Sequence, residues 1–282
     1  MILFLETKKG QFALLFQNKM IGLFFGTTDF PKKILENIKK KRIKYFILDL
    51  TSNSNFKKDK NSYHINIGKF GQILNLIHEK KCKKVLFAGK IDKPKISKMR
   101  LDLKGVYYIP RIIKAAKLGD AAILKELIKI LCENKIKVIK SNFFNPELTF
   151  SKGNYTKLKA NKLNLENIKI GLNDLFRMNS YNHVQGLVVR NKKVIIRETE
   201  KGTKKMLLLV KKDKKHNGIL IKFPKKKQDK RADLPTIGIE TLKDCNRAGI
   251  NGIVLKSNQN IFLDKRKSIN YADKKGIFIQ II

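Results

Sequence analysis

Short apolar strands alternate with helices along most of this chain, and this alternation limits the possible folds more than any other feature. An apolar run at residues 20–25 is followed by a loop, a helical pattern at 32–41 and a second buried strand at 45–50. The same alternation is repeated by a predicted helix at 72–80 and a predicted strand at 85–88. Strands that alternate with helices favour a parallel, doubly wound sheet. We therefore predict an α/β fold.

Turn-forming residues divide the chain into two α/β domains. The division falls at residues 146–165, which are rich in Asn, Ser, Gly and Pro and lack long apolar runs. We predict an amino-terminal extension at 1–20, a first domain at 21–145, a linker at 146–165 and a second domain at 166–282. With 282 residues, 42% of them hydrophobic, the chain can bury a substantial core.

Two helices are predicted at residues 109–118 and 121–131, separated by Gly119 and Asp120. An aspartate carboxylate accepts hydrogen bonds from the first N–H groups of a helix. Asp120 is therefore predicted to cap the second helix, and direct contact with a substrate is the alternative.

The charge of the chain is strongly positive. Lys and Arg total 63 against 23 Asp and Glu, a formal net charge of +40. Most of the excess is Lys and is spread over the whole length, which favours a solvated basic surface over a dedicated nucleic-acid patch. Nucleic-acid binding stays an alternative, supported by the basic run at residues 225–227. Acidic headgroups and phosphorylated ligands should be attracted in either case.

Cysteine and histidine show no metal-site spacing. Cys82, Cys132 and Cys245 are far apart and odd in number, which argues against a disulfide framework and fits a reducing cytoplasm. No apolar run reaches the roughly 20 residues that a membrane span requires. Any contact with a membrane is therefore expected to be peripheral.

A catalytic carboxylate could be positioned by the segment Arg231-Ala232-Asp233-Leu234-Pro235-Thr236-Ile237-Gly238. Pro235 fixes its own φ and favours an extended residue before it. Asp233 would then lie just before a short strand at 236–239, where Pro235 restricts the backbone. A turn residue or cap is the structural alternative for Asp233.

Glycine-containing loops follow two of the predicted strands. Residues 26–31 lead into a helix, and so do residues 68–71, of sequence Gly-Lys-Phe-Gly. A loop that opens into a helix amino terminus can hold phosphate through backbone N–H groups. The first loop lacks a glycine-rich dinucleotide-binding pattern, so a simple tight turn is the alternative.

These segments resemble the UDP-2,3-diacylglucosamine pyrophosphatase family of the LpxI type, in the family's order and from about residue 21 to the end. The matching segments are residues 21–26 with Pro31, Gly68-Lys69-Phe70-Gly71, Phe87-Ala88-Gly89-Lys90, Gly119-Asp120, and the Arg231–Gly238 run.

The resemblance implies a hydrolase of lipid A biosynthesis. Such an enzyme splits the pyrophosphate of UDP-2,3-diacylglucosamine into UMP and 2,3-diacylglucosamine 1-phosphate (lipid X) with a divalent cation such as Mg²⁺. It also implies a Rossmann-like first domain, a catalytic second domain, a homodimer, and a cytoplasmic protein on the inner membrane surface.

The family's essential aspartate corresponds to Asp233, the expected catalytic residue and metal ligand. The expected substrate-binding residues are Gly26, Thr27, Thr28, Gly68, Phe70, Gly71, Gly89, Lys90, Asp120, Gly202, Thr203, Lys222, Arg231 and Thr236. Arg231 and Lys222 are expected to neutralise phosphate oxygens.

One segment departs from the family pattern. Where the family typically has Glu-Gly-Thr-Asp, this chain has Lys201-Gly202-Thr203-Lys204. If those acids bind metal in relatives, this chain must use others, such as Asp229 or Glu240. A lipid or nucleotide binder without catalytic activity is therefore a further alternative.

Overall fold

A computed structural model describes residues 19–90, 99–178, 184–211, 217–225 and 228–282. Residues 1–18 of the predicted extension, and residues 226 and 227 of the basic run, lie outside the described residues. The described chain forms two compact units. One contains the residues up to Asn145 together with Arg231–Asp233, and the other contains Pro146–Lys230 and Leu234–Ile282.

The described part of the first unit contains a five-stranded parallel sheet, which confirms the predicted fold class. The strand order is β3-β2-β1-β4-β5. The strands are β1 (Ile21–Phe25), β2 (Tyr45–Asp49), β3 (Ser62–Tyr63), β4 (Lys84–Ala88) and β5 (Lys137–Ile139). β1 and β4 are buried along nearly their full length, as expected for strands covered on both faces.

The helices of the first unit are α1 (Phe30–Lys40), α2 (Phe70–Glu79), α3 (Leu103–Ala116) and α4 (Asp120–Glu133). α1 has Pro31 in its first turn, where a missing N–H costs nothing. It buries Ile34 and Ile38, which are four residues apart and share one face.

Two helix starts in the first unit differ from the prediction. α3 begins at Leu103 rather than at residue 109, and Pro110 lies inside it. The predicted cap at Asp120 is wrong. Gly119 is the N-cap residue of α4, with φ 99°, and Asp120 lies in the first helical turn. Glycine adopts that φ readily, and an acidic side chain in the first turn still interacts favourably with the helix dipole.

The second unit is built on a mixed six-stranded sheet of order β6-β13-β11-β9-β7-β8. The strands are β6 (Gly153–Asn154), β7 (Gly186–Arg190), β8 (Lys193–Arg197), β9 (Gly218–Lys222), β11 (Ile250–Leu255) and β13 (Phe278–Ile281). β9, β11 and β13 are parallel, while β7 runs antiparallel to β9 and to β8. Asn191 and Lys192 have positive φ in the β7–β8 turn, as a tight hairpin requires.

Residues 146–165, predicted as a linker, include strand β6. β6 forms one edge of the six-stranded sheet and pairs with β13. The Tyr155 N–H donates to the Ile279 carbonyl at 3.0 Å, and the Ile279 N–H donates to Thr156 Oγ1 at 2.9 Å. This part of the segment is therefore hydrogen-bonded into the sheet of the second unit.

A two-stranded parallel pair, β10 (Thr236–Ile237) with β12 (Ile261–Phe262), completes the described strands of the second unit. Its helices are α5 (Lys162–Met178), α6 (Gly202–Leu209), α7 (Ile239–Arg247) and α8 (Lys265–Lys274). The strand predicted at 236–239 is shorter, because α7 already begins at Ile239. In the described parts of the chain, no helix is both long and apolar enough to cross a bilayer.

Candidate active site

The strand order of the first unit reverses between β1 and β4. In open α/β sheets, ligands bind beyond the carboxyl ends of the strands at such a reversal. β1 is followed here by Gly26, Thr27 and Thr28, and β4 by Gly89 and Lys90. Five predicted substrate-binding residues thus lie at the position that the fold favours for a ligand.

A backbone bridge joins the two loops. The Thr27 N–H donates to the Lys90 carbonyl at 2.8 Å, and the Lys90 N–H donates to the Thr27 carbonyl at 2.9 Å. The Thr27 hydroxyl donates to the same Lys90 carbonyl at 3.0 Å. Gly89 has φ 86°, and a Cβ there would lie 2.6 Å from the Thr27 carbonyl oxygen. Glycine at position 89 is therefore required for this close approach.

Thr28 carries backbone strain within this loop. Its φ is 110°, which a β-branched residue rarely adopts, and its side chain is exposed. Such strain occurs most often at ligand-binding and catalytic loops. The next side chain, Asp29, makes an ion pair with Lys32 at 3.1 Å instead of capping α1.

The second glycine loop is arranged differently, because Asp102 occupies its backbone donors. The Asp102 carboxylate accepts from Gly71 and Gln72 at the start of α2, both at 3.0 Å, and from Gly105 in α3 at 2.7 Å. Burial acts to raise the pKa of Asp102, but these donors outweigh it and lower the pKa. The Gly71 N–H, predicted to hold substrate, is thus already hydrogen-bonded within the protein.

Gly68 and Phe70 also have structural contacts. The Gly68 N–H donates to Asn66 Oδ1 at 2.9 Å, and its carbonyl oxygen would be 2.1 Å from a Cβ at Gly105. Phe70 is buried and meets Tyr108 edge-on with ring centroids 5.4 Å apart. Their predicted role in substrate binding stays a prediction, and their observed role is to join α2 to α3.

The first unit contains a small apolar void beside Phe70. Its volume is about 20 Å³, and it is lined by side chains that include Phe24, Leu48, Phe87 and Leu131. A void of this volume would hold about one water molecule and is too small for an acyl chain.

A buried polar cluster in the second unit brings together three side chains from separate elements. Lys222 ends β9, Glu198 directly follows β8, and Thr203 lies in the first turn of α6. Lys222 Nζ lies 3.5 Å from Glu198 Oε1, and the Thr203 hydroxyl donates to the same oxygen at 2.8 Å. Lys222 also donates to Thr203 Oγ1. Two predicted substrate-binding residues, Thr203 and Lys222, therefore meet at the carboxyl edge of the sheet.

Glu198 is the member of this cluster that sequence reasoning missed. Its side chain is only 6% exposed, and its Oε2 has no hydrogen-bond partner among the described residues. The backbone N–H of Glu198 donates to the Gly186 carbonyl at 2.8 Å, which fixes the residue at the start of β7. Its position shortly after the apolar run at residues 194–196 was the available signal in the sequence.

The two lysines at the expected departure from the family pattern lie outside this cluster. Lys201 and Lys204 flank Gly202 and Thr203 along the chain, and both are exposed. Of the alternative carboxylates, Glu240 is exposed and pairs with Lys243 at 2.7 Å, and this hydrogen bond lowers the pKa of Glu240.

Asp233 lies where the chain passes from the first unit to the second. The Ser141 N–H donates to the Arg231 carbonyl at 2.6 Å, and Ala232 packs against the core of the first unit. Asp233 itself is half-buried. Leu234 is buried and belongs to the second unit. Both neighbours of Asp233 are therefore fixed by packing.

Thr236 is exposed in β10, just beyond this passage, and its hydroxyl donates to the Leu234 carbonyl at 3.4 Å. The Pro235 carbonyl accepts from the Ile261 N–H at 2.9 Å, which holds β10 against β12.

The described residues offer Asp233 as a candidate metal ligand but no preformed metal cage. Among the described residues, no three His, Cys, Asp or Glu side chains are grouped closely enough to hold one. His183 and His216 lie outside those residues. Mg²⁺ commonly binds one or two carboxylates, several waters and substrate phosphates rather than an all-protein cage. The half-buried carboxylate of Asp233 fits that mode, in which the substrate completes the site.

Comparison with known proteins covers both units. Residues 20–148 match the model of the LpxI N-terminal domain, and residues 151–280 match that of the LpxI C-terminal domain. The chain is also 29% identical over 223 residues to a protein of Caulobacter vibrioides named UDP-2,3-diacylglucosamine pyrophosphatase LpxI. That similarity covers 76% of this chain and 80% of the relative. The chain belongs to the LpxI family.

Proposed function

We propose that this protein hydrolyses the pyrophosphate bond of UDP-2,3-diacylglucosamine, which yields UMP and 2,3-diacylglucosamine 1-phosphate in lipid A biosynthesis. The observation that carries the proposal is the match of both halves of the chain to the LpxI domains. The name of the Caulobacter relative supplies the substrate and the reaction class.

Asp233 is the proposed catalytic residue. Hydrolysis forms one bond between a water oxygen and a phosphorus atom and breaks the bridging P–O bond. The carboxylate of Asp233 can accept a proton from that water and so orient it for attack. Ala232, which packs against the core of the first unit, limits the movement of the carboxylate, which favours an aligned geometry.

We also propose that the reaction depends on Mg²⁺ or another divalent cation. Asp233 and the substrate phosphate oxygens would hold the ion, which when bound would withdraw negative charge from the pyrophosphate. Asp229 and Glu240 are the alternative protein ligands.

Phosphate charge would be neutralised by cationic side chains that are exposed or partly exposed. Lys90 is exposed at the end of β4 and Arg231 is partly exposed beside Asp233. Lys222 differs, because its charge is already balanced by the buried carboxylate of Glu198. We expect Lys222 to orient groups near the β9 end rather than to supply net positive charge.

The substrate has two acyl chains, so the protein is proposed to work at the cytoplasmic surface of the inner membrane as a peripheral protein. A homodimer is proposed from the family resemblance. Analytical ultracentrifugation of the purified chain would test the dimer directly, and a single monomer boundary would contradict it.

The deciding experiment measures UMP release from UDP-2,3-diacylglucosamine by the wild type and by Asp233→Asn, each with Mg²⁺ and with EDTA. We expect release by the wild type with Mg²⁺ only, and a loss of about 100-fold or more in Asp233→Asn. Asp229→Asn and Glu240→Gln test the two alternative carboxylate ligands in the same assay. Circular dichroism of each variant confirms folding.

Two outcomes would contradict this proposal. Hydrolysis that survives in folded Asp233→Asn would remove its assigned role. A folded wild type that binds 2,3-diacylglucosamine 1-phosphate without turnover would favour the binder alternative. In that case Lys201→Glu with Lys204→Asp, which restores the family pattern, tests whether those lysines are the cause.

A further inference from the structure

Helix α3 exposes a row of large apolar side chains. Leu103 is 90% exposed, Val106 57% and Tyr107 72%. Leu118, just beyond the helix, is 60% exposed. Contiguous exposed apolar side chains often mark a surface that binds a protein or a membrane, whereas single exposed apolar side chains are common on any protein.

The three helical residues lie on one face with Pro110. They occupy positions i, i+3, i+4 and i+7, which are adjacent on a helix surface. The opposite face is used for packing, since Tyr108 and Ile112 contact the core of the first unit. The exposed face is therefore not needed to hold α3 in place.

Contacts on the flank of α3 fix the helix against α4. Arg111 Nε lies 2.6 Å from Glu126, and its two terminal nitrogens donate to Glu133 at 2.7 and 2.8 Å. The apolar face is thus presented on a firmly attached helix.

Basic side chains continue the same face. Lys114 follows Leu103, Tyr107 and Pro110 along the row, Lys117 lies beside it, and both lysines are exposed. The sequence from residue 103 to residue 118 contains no acidic residue. Of the neighbouring carboxylates, Asp102 is hydrogen-bonded to three backbone N–H groups, and Glu126 and Glu133 are paired with Arg111.

We propose that this face of α3 binds the surface of an anionic phospholipid bilayer. Leu103, Val106 and Tyr107 would enter the boundary between headgroups and acyl chains, and Lys114 and Lys117 would contact lipid phosphates. An apolar stripe continued by lysines without acids is the pattern of interfacial helices. The assignment does not depend on the proposed hydrolysis.

Charge distinguishes this partner from a second copy of the chain. Two copies that met through this face would bury Lys114 and Lys117 of each copy in the interface, with no acidic residue at 103–118 to pair with them. Like charges at an interface are unfavourable, whereas an anionic lipid surface is complementary.

The chain contains no tryptophan, so a single introduced tryptophan reports its own environment. Val106→Trp is compared with Leu208→Trp, placed at a leucine of α6 that is 53% exposed. Each is titrated with vesicles of phosphatidylcholine alone and of phosphatidylcholine with phosphatidylglycerol. We expect a blue shift only for Val106→Trp and only with phosphatidylglycerol.

Vesicle sedimentation measures the binding itself. Leu103→Gln with Val106→Gln should lower the bound fraction about tenfold. The matched pair Leu208→Gln with Leu209→Gln should leave it unchanged. Lys114→Gln with Lys117→Gln should weaken binding at low salt and reduce its dependence on salt.

Several results would overturn the assignment. They are a wild type that does not bind the anionic vesicles, a blue shift at Leu208→Trp instead of Val106→Trp, and α3 variants that change the oligomeric state but not vesicle binding. The last result would assign the face to contact between copies. Lost hydrolysis with intact vesicle binding would overturn only the proposed reaction.

Discussion

Asp102 is one carboxylate that organises the starts of two helices. Its oxygens accept from the backbone N–H groups of Gly71, Gln72 and Gly105. These donors would otherwise be unpaired at the amino termini of α2 and α3. The contribution of Asp102 to stability follows from this geometry.

Asp102→Ala is expected to lower the free energy of unfolding by about 2 kcal/mol at neutral pH. Because the folded protein lowers the pKa of Asp102, its contribution is present above the unfolded pKa of about 4 and is lost as the pH falls through the folded pKa. Urea unfolding at several pH values should therefore show the gap between wild type and variant narrowing below about pH 4. A gap that widens in acid would contradict this prediction.

The ion pair of Lys222 with Glu198 is nearly excluded from solvent, with both side chains at most 7% exposed. Glu198→Gln should cost about 3 kcal/mol, because it leaves a buried ammonium without its counter-charge. Lys222→Met in the same background should recover part of that loss. A double-mutant cycle by chemical denaturation measures the coupling, and strictly additive effects would show that the pair is not coupled.

At the scale of elements, the loops after β1 and β4 are held together by a two-residue bridge that depends on Gly89. Gly89→Ala is expected to lower the free energy of unfolding by about 2–3 kcal/mol, since it combines an unfavourable φ with a clash against the Thr27 carbonyl. Gly276 is a matched control, because its φ is 61° and a Cβ there meets no atom within 4 Å.

Gly276→Ala should cost only the backbone penalty, about 1 kcal/mol. Thermal unfolding of both variants separates the cost of the unfavourable φ from the cost of the clash with the Thr27 carbonyl. Equal losses would mean that the contact between the loops does not contribute. If the loops bind substrate, Gly89→Ala should also weaken UMP binding in calorimetry, whereas Gly276→Ala should not.

The limits of α3 show why element boundaries escape sequence reasoning. A proline inside a helical pattern normally ends or kinks the helix, so the pattern favoured a start near residue 109. In the structure Pro110 lies on the exposed face, and the helix begins at Leu103 because Asp102 caps it. Asp102 lies only three residues before Gly105, whose N–H it caps, so this start was encoded locally, whereas the contacts of Asp102 with Gly71 and Gln72 in α2 were not.

At the scale of the whole molecule, the net charge of +40 is expected to give affinity for any polyanion. Binding of RNA should therefore be equal for unrelated sequences, and its affinity should fall linearly with the logarithm of salt concentration. Fluorescence anisotropy with two unrelated oligonucleotides tests both points. Affinity that distinguishes the sequences near physiological salt would instead favour the nucleic-acid alternative.

The sequence by itself determined the fold class and part of the candidate site. Hydrophobic periodicity and strand–helix alternation depend on local spacing, so they predicted the parallel sheet of the first unit. The loop after β1 was found in the same way, whereas Gly89 and Lys90 after β4 were named only through the family resemblance. The motif around Asp233 was equally visible, since Pro235 acts on its immediate neighbours.

Only the tertiary structure decided which polar groups meet. Asp102 reaches Gly71, 31 residues away in sequence, and Glu198, which follows β8, reaches Lys222 in β9 across the intervening strand β7. The exposure of Leu103 and Val106 could not be read from their hydrophobicity either. Hydrogen bonding and burial at these positions depend on contacts between segments far apart in the chain, and such contacts leave no periodic signal in the sequence.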